Sequence, residues 1–202
     1  MKTKRFDTRR MVLLAMLSGI LLVMSFTPLG YLNLGPLAIS LNMIPVAIGA
    51  VALGPGGGAF LGAVFGITSC LQCVGIGGTS AMGVILFEIS PALTILQRFA
   101  TRVLAGCLTG IGYRGLQKLH VSFASYGAGF CAALFNTVFF MTALVLLFGH
   151  TPYLQDLIAG RNILVFILSF VGINAAVELL AATVTVGIVC KALEKLKLIG
   201  GM

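Results

Sequence analysis

Residues 42–74 read NMIPVAIGAVALGPGGGAFLGAVFGITSCLQCV, without one charged side chain. Two apolar runs flank Gly54-Pro55-Gly56-Gly57, and the second carries Gly58, Gly62 and Gly66 at four-residue spacing. That spacing places the three glycines on one face of a helix. In lipid, where hydrophobic burial no longer drives association, helices meet by close backbone approach, which small residues permit. The stretch therefore reads as two membrane helices joined by a very tight hairpin. Gly54-Pro-Gly-Gly-Gly58 is a turn rather than a phosphate loop: it lacks a Gly-Lys-Ser/Thr ending, and no strand precedes it.

The rest of the chain has the same character. Of 202 residues, 59% are hydrophobic and 9% charged, and the mean hydropathy is +1.11. A soluble domain carries roughly 25% charged residues. So few charges cannot cover a water-facing surface, which excludes a soluble globule, a coiled coil and a disordered chain. A membrane-crossing helix needs about 20 mainly apolar residues. Six runs qualify, at about 11–27, 37–53, 57–74, 92–113, 123–148 and 163–190. They are too long for barrel strands and lack two-residue alternation. The fold class is an all-α integral membrane protein, a six-transmembrane-helix bundle forming one membrane domain over residues 1–202. Lys2 to Arg10 resemble the start of a signal peptide, but no small-x-small site follows the first run, so it is read as a retained span. The connection 75–91 is long for a loop. Its apolar content (Met82, Val84, Ile85, Leu86, Phe87) predicts that it packs on the bundle.

The net charge of +8 does not point to nucleic acid, because the basic residues sit at the ends of apolar runs. With the N-terminus in the cytoplasm, Lys2, Lys4, Arg5, Arg9, Arg10, Arg114, Lys118, Lys191, Lys195 and Lys197 all lie inside. That is ten of the thirteen basic residues, and it predicts both termini on the cytoplasmic side. No repeat relates the two halves, so an inverted-repeat transporter finds no support. Cys70, Cys73, Cys107, Cys131 and Cys190 fall in or beside apolar runs. Their odd number excludes a fully paired set, and they read as small buried apolar residues. His120 and His150 fall in loops on opposite sides.

Ionisable groups within spans are costly, about 2.5–3.5 kcal/mol each on insertion scales, and mark function by default. There are three: Arg98 and Arg102 on the fourth span and Glu178 on the sixth. The arginines are four apart and share a face. Arg102 lies roughly 15 Å below Pro91 at 1.5 Å per residue, too deep to snorkel easily. Arg98 is near enough to the outer surface to do so. Glu178 either neutralises Arg102 or lines a polar cavity with it. Asn174, one turn before Glu178, shares its face. Gln72, Thr68, Asn42, Asn136 and Thr137 converge on the same outer half of the bundle. The pattern predicts a pocket open to the outside, contacted by Arg102, Asn136, Asn174 and Gln72, with Glu178 and Arg98 as second choices.

Four segments, in this order and spacing, resemble the substrate-specific S components of energy-coupling-factor (ECF) vitamin transporters. Arg9-Arg10-Met-Val-Leu-Leu-Ala15-Met-Leu-Ser-Gly19 is similar to the family's first helix, with Gly19 departing from the usual Ala-xxx-Ala. Asn42 to Gly66 is similar to the second and third helices. Arg102-Val-Leu-Ala-Gly106 resembles the Arg-xxx-Gly segment of the fourth. Asn136-Thr137 and Asn174-xxx-Glu178 resemble polar positions of the fifth and sixth. Within the family the likeness is greatest to the pantothenate branch. The resemblance implies a binding subunit of the bacterial cell membrane, not an enzyme, that holds a vitamin near the outer face. It implies partners: a scaffold transmembrane subunit, met through Ala15 and Gly19, and two cytoplasmic ATPase subunits. ATP would be hydrolysed there, and this chain would need no cofactor and no metal. Such subunits topple in the membrane to release substrate inward.

Two rivals fit less well. An intramembrane metal enzyme needs several carboxylates or histidines, and Glu178 cannot hold a metal alone. A channel needs symmetry or a charged ring. The charges favour an anionic ligand. Arg98 and Arg102 give +2 and Glu178 gives −1, so a cavity lined by all three nets +1, and a ligand carboxylate would complete it. Pantothenate fits, its hydroxyls and amide suiting Gln72, Asn136 and Asn174. A neutral vitamin such as pyridoxine or a hydroxymethyl-pyrimidine becomes preferable if Glu178 pairs fully with Arg102 and Arg98 snorkels out.

Overall fold

The computed structural model describes residues 8–28, 30–33, 38–77, 80–119 and 121–196. Helix α1 (Thr8–Ser25) leads to a two-stranded antiparallel ribbon of β1 (Tyr31–Asn33) and β2 (Ala38–Ser40), with Leu32 opposite Ile39. Then follow α2 (Met43–Leu53), α3 (Pro55–Leu71) with a closing 3-10 turn at Gln72–Val74, α4 (Ala81–Ile89), α5 (Pro91–Leu119), α6 (Val121–Phe148), α7 (Pro152–Ile158) and α8 (Ile163–Lys195).

The predicted hairpin is present. Gly54 alone separates α2 from α3, at a φ of 79° that a side chain would disfavour. Pro55 stands at the start of α3, where its missing N–H costs nothing. The glycine face of α3 packs on α5. A Cβ at Gly58 would lie 2.2 Å from the Gly106 carbonyl oxygen, and one at Gly62 would lie 2.3 Å from that of Arg102. Gly66 faces Phe99. The partners run backwards along α5, so the two helices are antiparallel. The contact also fixes the backbone of Arg102.

Among the described residues, four segments are long and apolar enough to cross a membrane: Thr8–Ser25, Pro55–Val74, Phe123–Phe148 and Asn174–Lys195. The other two expected spans depart from a simple crossing helix. The run 37–53 divides into β2 and α2, and α2 has 11 residues, about 16 Å at 1.5 Å each. α5 has 29 residues, ample in length, but Arg98, Arg102, Arg114 and Lys118 make it less apolar. Apart from the short ribbon, whose three-residue β2 has a composition that suits strand or helix, the described elements are helical. The connection 75–91 holds α4, which packs along α5 and whose buried Met82 and Leu86 join an apolar cluster with residues of α6, α7 and α8, as its composition suggested. All five cysteines are free thiols. His150 lies in an exposed turn, while His120 and Lys2, Lys4, Arg5 and Lys197 lie outside the described residues.

Two apolar clusters build the interior. One joins Leu17, Leu21, Val46, Leu61, Phe65, Tyr113, Ala128, Val186 and their neighbours. The other joins Met82, Leu86, Met141, Leu144, Phe148, Leu154, Ile158 and Phe166. Along α6 and α8 they occupy opposite ends. Asn136 falls between Ala132 and Met141, and Asn174 and Glu178 between Phe166 and Val186. A polar layer lies between two apolar ones.

Candidate functional site: the buried polar layer

Arg102 is 5% exposed in the middle of α5. Its guanidinium carbon sits 4.5 Å from the Phe65 ring centroid on α3 and 5.8 Å from that of Phe140 on α6. Stacking of a desolvated guanidinium on an aromatic face contributes about 2 kcal/mol. Nη1 donates to the Arg98 carbonyl at 3.1 Å. The depth inferred from helix rise is therefore matched by burial, and the charge is oriented by two aromatic faces.

Arg98 does not snorkel. It is 4% exposed. Nη1 donates to Ser69 Oγ at 2.9 Å and Nη2 to Ser80 Oγ at 3.0 Å. Two hydroxyls from α3 and from the cap of α4 hold it inside, which helix-depth arithmetic on α5 alone does not foresee. Glu178 Oε1 accepts the Ser40 backbone N–H at 2.5 Å. The carboxylate is drawn to the ribbon because an unpaired N–H beside it is a strong donor.

Asn136, Asn174 and Glu178 are all buried, at 8%, 9% and 8% exposure. α6 and α8 pack on each other, and α8 also meets β2, so these three sit in the layer with Arg102. Gln72 is buried in the turn that closes α3. Its Nε2 donates to the Ser25 carbonyl at 2.8 Å, and Thr68 Oγ1 donates to Ser25 Oγ at 3.2 Å. Both residues tie α3 to the end of α1, so the Gln72 donor already has a protein acceptor. Thr94, Thr101 and Thr109 return their hydroxyls to carbonyls one turn back, a satisfied arrangement within a helix.

Several buried polar atoms have no hydrogen-bond partner among the described residues: Asn136 Oδ1, Gln97 Oε1, Arg98 Nε, Ser40 Oγ and both amide atoms of Asn42. Leaving such a group unsatisfied costs about 1–3 kcal/mol, and native structures hold few. Their concentration around one layer is the chemistry of a polar ligand site, with donors, acceptors and a guanidinium between apolar walls.

Sequence reading missed Phe65, Phe140, Gln97, Ser40, Ser69 and Ser80. Gln97 was discoverable. Thr94, Gln97, Arg98, Thr101 and Arg102 recur at three- and four-residue spacing and mark one polar stripe on α5. The phenylalanines carried no signal, since in a membrane chain an aromatic face toward lipid looks the same as one toward a cation.

Ala15 and Gly19 are exposed on α1, and a Cβ at Gly19 would meet nothing within 4 Å. They lie on the outside of the bundle, away from the polar layer.

Comparison with known proteins adds two findings. The family model described as "ECF transporter, substrate-specific component" matches residues 9–190. The "Pantothenate transporter PanT" of Leuconostoc mesenteroides subsp. mesenteroides is 27% identical over 190 residues, covering 89% of this chain and 89% of the relative.

Proposed function

Because the chain belongs to the substrate-specific components of ECF transporters, we propose that it is the vitamin-capturing subunit of such a transporter and that its vitamin is pantothenate. The observation that carries the substrate is Arg102, a guanidinium buried between Phe65 and Phe140 in a layer rich in unsatisfied amide atoms. A carboxylate is the ligand group that a buried guanidinium binds best, by charge-assisted hydrogen bonds. The neutral-vitamin alternative would gain if Glu178 paired fully with Arg102 and Arg98 snorkelled out. Arg98 is instead buried between Ser69 and Ser80, which keeps a second positive charge inside the bundle and favours an anion. The relative named for pantothenate transport supports the same choice.

In this reading Arg102 anchors the carboxylate, and Asn136 and Asn174 meet the amide and hydroxyls. Apolar neighbours take the gem-dimethyl group. Six crossings have both termini in the cytoplasm, the second made jointly by β2 and α2. Ala15 and Gly19 meet the scaffold transmembrane subunit, and two ATPase subunits supply the energy. The host membrane is bacterial. Labelled pantothenate binding to detergent-purified protein tests the proposal. Saturable binding that pantothenate displaces and the neutral alcohol pantothenol displaces far less well supports it. Equal displacement by the alcohol overturns the carboxylate–arginine pairing.

A further inference from the structure

Arg98 donates from both terminal nitrogens, yet neither partner belongs to its own helix. Ser69 is near the end of α3, and Ser80 is the N-cap of α4, accepting the Gly83 N–H at 3.3 Å. Gly83 itself makes room for the arginine, since a Cβ there would lie 2.5 Å from Nη2. The chain path explains the geometry. α4 has nine residues, about 13 Å at 1.5 Å each. It joins α5 through Ser90, which is extended at φ −158°. Arg98 lies two turns into α5, roughly 10 Å from its start. The guanidinium therefore reaches the far end of α4 because α4 folds back along α5. Ser90 is the near end of this hairpin, and Arg98 fastens the far end.

α4 has a second hold. Met82 and Leu86 sit in the apolar cluster that closes one side of the polar layer. Its attachment is thus part apolar and part polar. The polar part is in direct register with the candidate anchor, because Arg102 Nη1 donates to the carbonyl of Arg98.

We propose that Arg98 is a positioning residue: its guanidinium clasps the start of α4 to the end of α3, and this clasp holds α4 as a cover that sets how fast ligand enters and leaves the polar layer. Its terminal nitrogens hold protein hydroxyls rather than ligand. The kinetic part rests on the capture function proposed above, whereas the mechanical part does not.

The test uses the full-length chain in detergent. Amide hydrogen exchange over residues 81–89 is measured without ligand in the wild type and in Ser69→Ala, Ser80→Ala, Ser80→Thr and Arg98→Lys. Ser69→Ala leaves the α4 cap intact, so any loosening of α4 comes from the clasp. The proposal expects at least tenfold faster exchange in Ser69→Ala, Ser80→Ala and Arg98→Lys, with recovery in Ser80→Thr. With labelled pantothenate, it expects Ser69→Ala to raise association and dissociation rates together, moving the Kd by less than about threefold. Unchanged exchange in α4 with Ser69→Ala overturns it. So does a Ser69→Ala protein with wild-type rates beside an Arg98→Lys protein that loses affinity through dissociation alone, the behaviour of a direct ligand contact. If wild-type protein binds no pantothenate, the substrate assignment fails and the exchange experiment still decides the clasp.

Discussion

α1 and α3 both carry small residues four apart, and they end in opposite environments. On α3, Gly58 and Gly62 press against the backbone of α5, so closely that a Cβ at either would overlap a carbonyl oxygen. On α1, Ala15 and Gly19 are exposed, and a Cβ at Gly19 meets nothing within 4 Å. The opposite face of α1 supplies Leu17 and Leu21 to the core, so the helix is seated with its small residues turned out. A small-residue stripe states that some helix approaches closely, but not whether that helix belongs to the same chain. The α3 stripe is used within the bundle and positions Arg102. The α1 stripe is open for a partner.

The largest effect should come from filling the covered stripe. Gly62→Leu forces a side chain into the α5 backbone, which no rotamer change relieves. Overpacking ordinarily costs about 1–3 kcal/mol and occasionally more, and here it acts on main chain. The expected outcome is loss of monodisperse protein in detergent size-exclusion chromatography, together with loss of ligand binding. Well-folded Gly62→Leu would mean that α3 and α5 do not meet as described.

Filling the open stripe separates folding from transport. Ala15→Trp or Gly19→Trp should leave ligand affinity of the isolated subunit within about twofold of wild type while abolishing vitamin uptake by cells carrying the complete transporter. Loss of binding in the purified Ala15→Trp protein would place this stripe inside the bundle. A gentler change sharpens the contrast. Gly19→Ala should shift the melting temperature by no more than a degree or two and even favour helix slightly, since Gly costs about 1 kcal/mol relative to Ala in a helix. The matching Gly58→Ala, whose Cβ would sit 2.2 Å from the Gly106 oxygen, should lower it by several degrees.

The architecture was readable where one physical variable decides. Length and apolarity alone picked out α1, α3, α6 and α8, and glycine periodicity picked out the α3 seam. The Gly54-Pro55 hairpin followed from backbone chemistry. Residues 38–42 were not readable as a break, because Ala38 and Ile39 suit a strand or a helix equally, and pairing with β1 decides. Within the site, the burial of Arg102, Asn136, Asn174 and Glu178 was legible as polar residues in apolar runs. Their partners were not. Arg98 is held by Ser69 and Ser80, Glu178 by Ser40, and Gln72 by Ser25, each from another element. A single helix's depth and face give no access to such contacts.

The most direct measurement is a cycle of four affinities: pantothenate and pantothenol, each titrated into wild-type and Arg102→Gln protein. A hydrogen bond to a charged group contributes about 1.5–3 kcal/mol, or roughly 10- to 150-fold in affinity. The account predicts that wild-type protein prefers the carboxylate by a factor in that range and that Arg102→Gln loses the preference while its affinity for the alcohol changes little. If Arg102→Gln keeps the wild-type preference, the carboxylate is read elsewhere and Arg102 is not its anchor.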